Sequence, residues 1–245
     1  MSTSGPAAVP TLQLQWHPLS IAGLAIDPIS REVWPSVLET LVAAGDRCTI
    51  ATCRSRDLLR AREDRAFHRT LETADLVIGT GGGMAFLGLL QGVTHRPPSH
   101  PGEVVGITLA AAARRGWGIF FLGSTDTDAF DFSHEAVREH PGLRVAGALK
   151  TPRDPEDESA AARLASQVNA SGASILLCAP TTEGGETFMR KHRGLFDAPV
   201  VLSVFGGFRG GLKHRLQAPA AILTGYLPLV FDALRRHPPR SNQPE

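Results

Sequence analysis

Short, uninterrupted apolar runs recur along the chain, and they constrain its fold more than any other feature. Such runs are typical of strands in parallel sheets that helices cover on both faces, because neither face of the strand meets water. Longer segments with helical periodicity separate the runs, and this β-α-β-α order favours a doubly wound open sheet. We therefore predict an α/β, Rossmann-like fold with a mostly parallel open sheet and helices on both faces. The predicted strands are residues 19–26, 47–53, 74–79, 117–123, 143–149, 174–180 and 199–207.

The segments between the predicted strands supply the helices. With 245 residues, 42% of them hydrophobic, the chain can bury the core of one large α/β domain. We place this domain at residues 16–218, after a disordered lead-in at 1–15, and we expect a C-terminal helix at 219–240 and a tail at 241–245. Residues 93–103 are rich in proline and histidine and form either a lid or a simple connection. The predicted helices are about 30–44, 55–71, 82–91, 104–115, 127–140, 155–171, 184–196 and 219–236.

Charge and cysteine usage limit the possible partners. A net charge of +1 gives no global field that would attract nucleic acid or an anionic membrane. No apolar run approaches the ~20 residues of a spanning helix, and the N-terminus lacks a secretory signal pattern, so we expect a cytoplasmic protein. The three cysteines have no metal-binding spacing, and we predict reduced, mostly buried thiols with neither metal nor cofactor. The last helix is too apolar to lie in water; we expect a homo-oligomer or packing on the core, with at most weak peripheral membrane contact.

The carboxyl ends of parallel strands collect ligands in folds of this kind, and five predicted strand ends have residues suited to binding. The glycine turn of Gly81, Gly82 and Gly83 either presents amides to a phosphate or is a plain tight turn. Thr80 begins that turn, where we would look for a carboxylate. The other candidates at strand ends are Thr52, Arg54, Gly123, Ser124, Glu186, Gly206, Gly207, Phe208 and Arg209.

Two histidines of the 93–103 segment are candidates for a general base. His95 and His100 lie close to Arg96, where they could act as a flexible base or contact a phosphate. The alternative is that both are surface histidines of a loop. Carboxylates are sparse near the strand ends, and Asp126 and Asp128 are expected to cap and charge the start of a helix.

The order of these pieces resembles the WecG/TagA/CpsF family of bacterial glycosyltransferases over roughly residues 19–240. The resemblance rests on a succession of segments rather than on one motif: "TCRSRDLLRAREDRAF" leading into "ADLVIGTGGG", then "RRGWGIFFLGS", "HPGLRVAG", "SGASILLCAP" and "APVVLSVFGGF". It implies a Rossmann-like α/β fold whose C-terminal helices contribute to membrane docking or to the active site. The implied activity is transfer of an N-acetylmannosamine-type sugar from a UDP donor to a lipid-linked acceptor.

Several positions that hold the family's chemistry are changed in this chain. The catalytic aspartate position falls on Thr80, whose hydroxyl can hydrogen-bond but cannot act as a general base near neutral pH. The family's threonine-x-asparagine turn falls on Thr52 and Arg54, so the threonine is kept and the asparagine is lost. Of the family's proline-lysine-glutamine-glutamate stretch, only Glu186 remains.

Three functions fit this pattern of kept scaffold and changed site. The first is a glycosyltransferase with a rebuilt site, which moves a hexosamine-type sugar from a UDP-sugar donor to a lipid-linked or natural-product acceptor. Its catalytic groups would come from Thr52, Thr80, His95, His100 and Glu186, with the glycines and arginines binding the nucleotide. The second is a tailoring enzyme of a specialised-metabolite pathway on the same scaffold, whose pocket should ignore nucleotides. The third is a non-catalytic relative, since fold does not fix function.

Overall fold

The computed structural model describes residues 16–208 and 228–233 of the chain. Its strands are β1 (Leu19–Ile21), β2 (Leu24–Ile26), β3 (Cys48–Arg54), β4 (Leu76–Thr80), β5 (Gly118–Gly123), β6 (Arg144–Lys150), β7 (Ile175–Cys178) and β8 (Val200–Ser203). Six of them form one parallel sheet in the order β4-β3-β8-β7-β5-β6. This sheet confirms the predicted α/β, Rossmann-like architecture.

Helices cover both faces of the sheet. They are α1 (Trp34–Ala44), α2 (Ser55–Glu63), α3 (Arg65–Glu72), α4 (Gly82–Leu90), α5 (Pro101–Arg115), α6 (Asp126–Glu139), α7 (Glu158–Ala170) and α8 (Glu183–His192), with a 3₁₀ turn at Arg193–Leu195. Helices α1, α5 and α6 share a core on one side of the sheet, which we call the front face. Helices α2, α3, α4, α7 and α8 pack on the other side, the back face.

Strand β3 shows how one buried strand serves both faces. Ile50 packs in the front core, whereas Ala51 and Cys53 pack in the back core. Because side chains alternate along a strand, Thr52 and Arg54 project to the front at the carboxyl end of β3. The fold thus places two polar residues of the sequence-based candidate set on one face of one central strand.

Residues 19–26, predicted as one strand, form a hairpin. Strands β1 and β2 pair antiparallel with Ile21 opposite Leu24, and the two residues between them, Ala22 and Gly23, have φ values of 55° and 74°. Positive φ at both central positions is the two-residue turn whose twist matches that of a hairpin. The prediction of a single strand was wrong because Ala-Gly is a weak turn signal inside an otherwise apolar run.

The predicted helix over residues 55–71 is in fact two helices. The break lies at Asp64, whose backbone is extended with φ −108° and ψ 101°. Its carboxylate accepts a hydrogen bond from the Phe67 backbone N–H at 2.9 Å, which is the usual role of an aspartate N-cap. The prediction of one continuous helix was wrong because Asp64 reads as one more charged residue on a solvated face.

Residues 228–233 are helical and belong to the predicted C-terminal helix at 219–236. The remainder of that helix, the lead-in and the tail lie outside the described residues. Leu229 and Ala233 are buried in the back core. Asp232 accepts a hydrogen bond from the Ala22 backbone N–H, and the Gln91 side chain donates to the Ala233 carbonyl at 3.1 Å. This segment is therefore anchored to the hairpin and to the residue that follows α4.

The three cysteines are buried and unpaired, as the sequence predicts. Burial raises the pKa of Cys48 to about 12. It also raises the pKa of the Cys53 and Cys178 thiols well above the ordinary range. Within residues 16–208 and 228–233, no helix has the length and apolar character that crossing a bilayer requires.

Candidate functional site

A crevice opens between two neighbouring strands of the sheet whose following helices lie on opposite faces. Strands β5 and β7 are neighbours, yet β5 leads into α6 on the front face and β7 leads into α8 on the back face. The two connections therefore diverge and leave a gap beyond the carboxyl ends of these strands. In open α/β sheets such a switch point is where ligands bind.

The crevice encloses about 230 Å³. Its floor is formed by the ends of β5 and β7, one wall by the first turns of α6, and the other by the residues that follow β8. The lining residues are Ser124, Asp128, Asp131, Phe132, Ala179, Thr181, Gly206, Gly207 and Phe208. Four of these, Ser124, Gly206, Gly207 and Phe208, are among the binding residues proposed from the sequence.

Hydroxyl groups join the two strand ends below the crevice. The Ser124 and Thr181 hydroxyl oxygens are 2.5 Å apart, and the Thr181 backbone N–H donates to Ser124 Oγ at 3.0 Å. Ser124 Oγ also donates to the Ala179 carbonyl at 3.2 Å. Gly123, just before Ser124, lies close to α6, where a Cβ would be only 2.9 Å from the Ala129 backbone nitrogen. The role of Gly123 is thus to let α6 start tightly against β5.

An aromatic stack closes one end of the crevice. The rings of Phe132 and Phe208 are parallel within 6° with centroids 4.6 Å apart, and Phe121 meets the Phe208 ring edge-on at 6.0 Å. Beside this stack, the exposed carboxylates of Asp128 and Asp131 face the same space from α6. The crevice therefore combines an apolar, planar surface with two hydrogen-bond acceptors.

A second polar group of residues lies at the carboxyl ends of β3 and β4. Arg54 and Thr80 are paired in register, so the strand that carries Thr52 and the strand that leads into the glycine turn are neighbours. The Thr80 hydroxyl donates to the Cys53 carbonyl at 3.5 Å. Arg54 is held by Asp57, whose carboxylate accepts from Nε at 2.8 Å and from Nη2 at 2.9 Å. Thr52 Oγ1 and Arg54 Nη1 are buried and have no hydrogen-bond partner among residues 16–208 and 228–233.

Gly206 connects the crevice with this second group. Its φ is +93°, and a Cβ at this position would lie 3.2 Å from both terminal nitrogens of Arg54. Gly207 follows with φ +89°. Both residues need glycine's access to positive φ, and Gly206 also leaves the Arg54 guanidinium next to the crevice. We call the crevice and this adjoining polar group at the ends of β3 and β4, together, the front-face cleft.

The glycine turn after β4 has the geometry of a tight turn. Gly81 has φ +92°, and its N–H donates to the Pro98 carbonyl at 2.8 Å, so this amide is engaged within the protein. Gly82 and Gly83 form the first turn of α4. A tight turn thus accounts for glycine at position 81, and phosphate binding by this turn stays a prediction.

The hydrogen bonds of the two candidate histidines are made with residues other than Thr52 and Thr80. His95 is exposed, and its Nε2 contacts the Pro28 carbonyl. His100 is the N-cap of α5, and its Nδ1 accepts from the Glu103 backbone N–H at 3.1 Å. Arg96, between them in sequence, is exposed, and Arg209 lies outside the described residues.

Glu186 lies on the back face, opposite Thr52 and Arg54. Its two carboxylate oxygens accept from Arg60 at 2.9 and 2.8 Å, so this ion pair joins α8 to α2. Burial raises the pKa of Glu186, and the Arg60 guanidinium opposes that shift. The structure does not bring Glu186 together with the other candidate catalytic residues.

Sequence reasoning missed Thr181, Asp131 and Phe132 as site residues and gave Asp128 a capping role only. The cap of α6 is in fact Thr125, whose side chain accepts from the Asp128 backbone N–H at 3.0 Å. The expectation that Asp126 and Asp128 cap this helix was therefore wrong, although both place acidic charge in its first turn. The spacing could have revealed more, because residues at positions i, i+3 and i+4 share one helix face. Asp128, Asp131 and Phe132 have that spacing on the helix that follows a candidate strand end.

Comparison with known proteins relates the chain to a family. The family model described as "Glycosyl transferase WecG/TagA/CpsF family" matches residues 19–223. The matched span includes all the strands of the sheet and every described residue of the crevice. A comparison with curated protein sequences gave no match.

Proposed function

Because the chain belongs to the WecG/TagA/CpsF family of glycosyltransferases, we propose that it transfers a hexosamine-type sugar from a UDP-sugar donor. The active site in this proposal is the front-face cleft, rebuilt around residues that differ from the family pattern. One observation carries the proposal: the switch-point crevice combines an aromatic stack, two carboxylates and two glycines with positive φ.

The crevice suits the nucleoside half of the donor. The half-buried ring of Phe132, which is stacked on the buried Phe208 ring, offers an apolar surface to uracil, since aromatic side chains stack on bases. The carboxylates of Asp128 and Asp131 accept hydrogen bonds and do not donate them. They therefore suit the two adjacent hydroxyl donors of a ribose. The nucleoside would thus lie along α6, with its base against the phenylalanines.

The same two carboxylates direct the diphosphate away from α6. Like charges repel at close range, so the phosphates would lie across the crevice, at the turn of Gly206 and Gly207. Successive backbone N–H groups in such turns form anion-binding concavities. This orientation points the sugar toward β3 and β4.

Calorimetric titration with UDP and with uridine tests the proposal. We expect UDP to bind the unaltered protein and Asp131→Asn to weaken both ligands by about tenfold, because a hydrogen bond to a charged group is lost. Asp46→Asn is the matched control, since Asp46 is exposed in the connection between α1 and β3. It should leave both affinities unchanged.

Two results would count against this function. Absence of any UDP binding by the unaltered protein would remove the donor and favour a tailoring enzyme or a non-catalytic relative. Equal UDP affinity in Asp131→Asn and the control would mean that the nucleoside does not bind in the crevice.

A further inference from the structure

We propose that the acceptor of this glycosyl transfer is an oxyanion, a carboxylate or a phosphate, held by Thr52 and Arg54 at the carboxyl end of β3. This inference rests on the proposed function and adds the class of acceptor to it. The oxyanion is the nucleophile itself, so the reaction needs no general base.

Two buried donors without partners mark the binding position. Thr52 is 1% exposed, and within the part of the chain that the structure describes neither its Oγ1 nor Arg54 Nη1 has a hydrogen-bond partner. Buried polar groups in folded proteins are nearly always paired, so each such exception calls for an explanation. The two residues are two positions apart on one face of β3. An anionic oxygen bound there could accept from both.

Asp57 fixes the guanidinium of Arg54 so that one edge stays available. Its carboxylate takes Nε and Nη2, and one of its oxygens also accepts from the Arg54 backbone N–H at 2.8 Å. Arginine presents its donors in a planar fork, so Nη1 points along the remaining edge. The arginine is held in place before any ligand arrives.

The side chains around Thr52 offer no evident proton acceptor among the described residues. Thr80 donates its own hydroxyl hydrogen to the Cys53 carbonyl, and Asp57 is occupied by Arg54. His95 contacts Pro28, and His100 caps α5. A hydroxyl acceptor would need a base within hydrogen-bond reach. A carboxylate or phosphate is already deprotonated at neutral pH and avoids that need.

The covalent step balances without proton transfer. One oxygen of the bound oxyanion forms a bond with the anomeric carbon of the donor sugar. The bond from that carbon to the oxygen of the β-phosphate breaks, and its electron pair leaves with UDP. The product is a glycosyl ester from a carboxylate or a glycosyl phosphodiester from a phosphate monoester.

The location of Arg54 suits an acceptor site next to the donor. Gly206 lines the crevice and has no side chain to separate it from the Arg54 guanidinium. Strand β3 lies beyond β8 as seen from β5 and β7, so Thr52 is further from the nucleoside than Gly206 is. The sugar would therefore sit between the diphosphate turn and β3.

Binding measurements on Arg54→Gln test this assignment. The probes are benzoate and inorganic phosphate, with benzamide as the neutral match for benzoate, each added to the protein saturated with UDP and followed by thermal shift. We expect one of the two anions to stabilise the unaltered protein, benzamide to have no effect, and the anion's affinity to fall at least tenfold in Arg54→Gln. The UDP affinity of the variant should stay within twofold. Whichever anion stabilises the protein identifies the acceptor as a carboxylate or a phosphate.

Matched variants keep the result interpretable. Arg62→Gln, at an exposed position of α2, the helix that follows Arg54, should behave as the unaltered protein. Arg54→Gln leaves the Asp57 carboxylate without its guanidinium partner, which could unfold the variant. The double variant Arg54→Gln/Asp57→Asn also removes the Asp57 charge, and the same binding measurements are made on it.

Three outcomes would overturn the inference. Tenfold weaker UDP binding in Arg54→Gln would assign this arginine to the donor diphosphate. Equal anion binding by the unaltered protein and the variant would place the anion elsewhere, and no anion binding at all would remove the site. Failure of the proposed function is distinct, because it appears as absence of UDP binding to the unaltered protein.

Discussion

Asp27 fastens the β1–β2 hairpin to the edge of the main sheet. Its carboxylate accepts from the Val77 backbone N–H at 2.8 Å and from Trp16 Nε1 at 3.2 Å. Burial raises the pKa of this carboxyl to about 6, and the two hydrogen bonds oppose that shift. Asp27 therefore holds its proton more tightly in the folded than in the unfolded chain.

This shift gives a pH dependence of stability with a definite sign. A group whose pKa is raised on folding stabilises the protein fully below its unfolded pKa of 3.8, and that contribution is lost as the pH rises through about 6. Asp27→Asn does not titrate. Between pH 4 and pH 7 we therefore expect the free energy of unfolding of the variant to increase relative to that of the unaltered protein by on the order of 2 kcal/mol. Its melting temperature should rise relative to that of the unaltered protein over the same range.

Thermal unfolding across that pH range measures the difference. Glu32→Gln, at an exposed carboxylate, serves as the control and should show no such trend. A constant offset between Asp27→Asn and the unaltered protein at every pH would contradict the raised pKa.

The Arg60–Glu186 pair allows a test of whether Glu186 is catalytic. Glu186→Gln should lower the free energy of unfolding by roughly 1–2 kcal/mol, a modest loss for a buried pair because Arg60 is partly exposed and keeps Asp64 as a partner. Since Glu186 lies on the back face, UDP affinity and transferase activity of the folded variant should be unchanged. Glu183→Gln, exposed in the same helix turn, is the matched control. A Glu186→Gln variant that loses transferase activity but keeps its stability would show that Glu186 is part of the active site.

At the scale of elements, the break between α2 and α3 depends on a single cap. Asp64→Ala removes the acceptor of the Phe67 N–H and one contact of Arg60, and we expect a loss of about 1 kcal/mol. Glu63→Ala, one residue earlier and exposed, should change stability by less than half as much. Chemical denaturation of both variants would show it; equal losses would mean that the cap is not what separates the helices.

The order of the strands explains which site residues the sequence could reveal. Apolar runs and helical periodicity predicted a mostly parallel sheet and its strands, because these depend on local pattern. The insertion of β7 and β8 between β5 and β3 depends on long-range pairing, and the same runs fit several orders. Without that order the switch point is invisible, and Asp131 looks like any solvated carboxylate of a helix.

The prediction of His95 or His100 as a general base likewise depended on tertiary contacts that the sequence does not show. His95 and His100 lie in one short segment, and only the folded backbone shows that one ring caps α5 while the other contacts Pro28. Thr52 and Arg54 were identifiable because their strand is a clear apolar run. The lack of a partner for Nη1, by contrast, follows from Asp57 and could not be read from residue types alone.

For the whole molecule, the C-terminal segment contributes to the back core. Truncation after residue 218 removes Leu229, Ala233 and the contact between Asp232 and Ala22. Burying two apolar side chains stabilises a protein by several kcal/mol in total, so we expect a lower melting temperature with aggregation or a changed oligomeric state. Truncation after residue 240 keeps these contacts and is the control. Size-exclusion chromatography with light scattering follows the outcome.

The predicted homo-oligomer is measured in the same experiment. Phe231 is 66% exposed on a segment whose other side is buried, which is consistent with an interface. A full-length protein that elutes as a monomer would contradict the oligomer, and a shortened protein with unchanged melting and size would contradict the role of the segment.

The burial of all three cysteines makes the protein a convenient scaffold for site-directed labelling. Thiol reagents attack the thiolate, and the raised pKa of Cys48, Cys53 and Cys178 leaves almost none of it near pH 7.5. A cysteine introduced at an exposed position such as Arg96 would be modified alone in the native protein. A fluorophore there would report movement of the 93–103 segment on ligand binding, and modification of the native thiols would count the molecules that have unfolded.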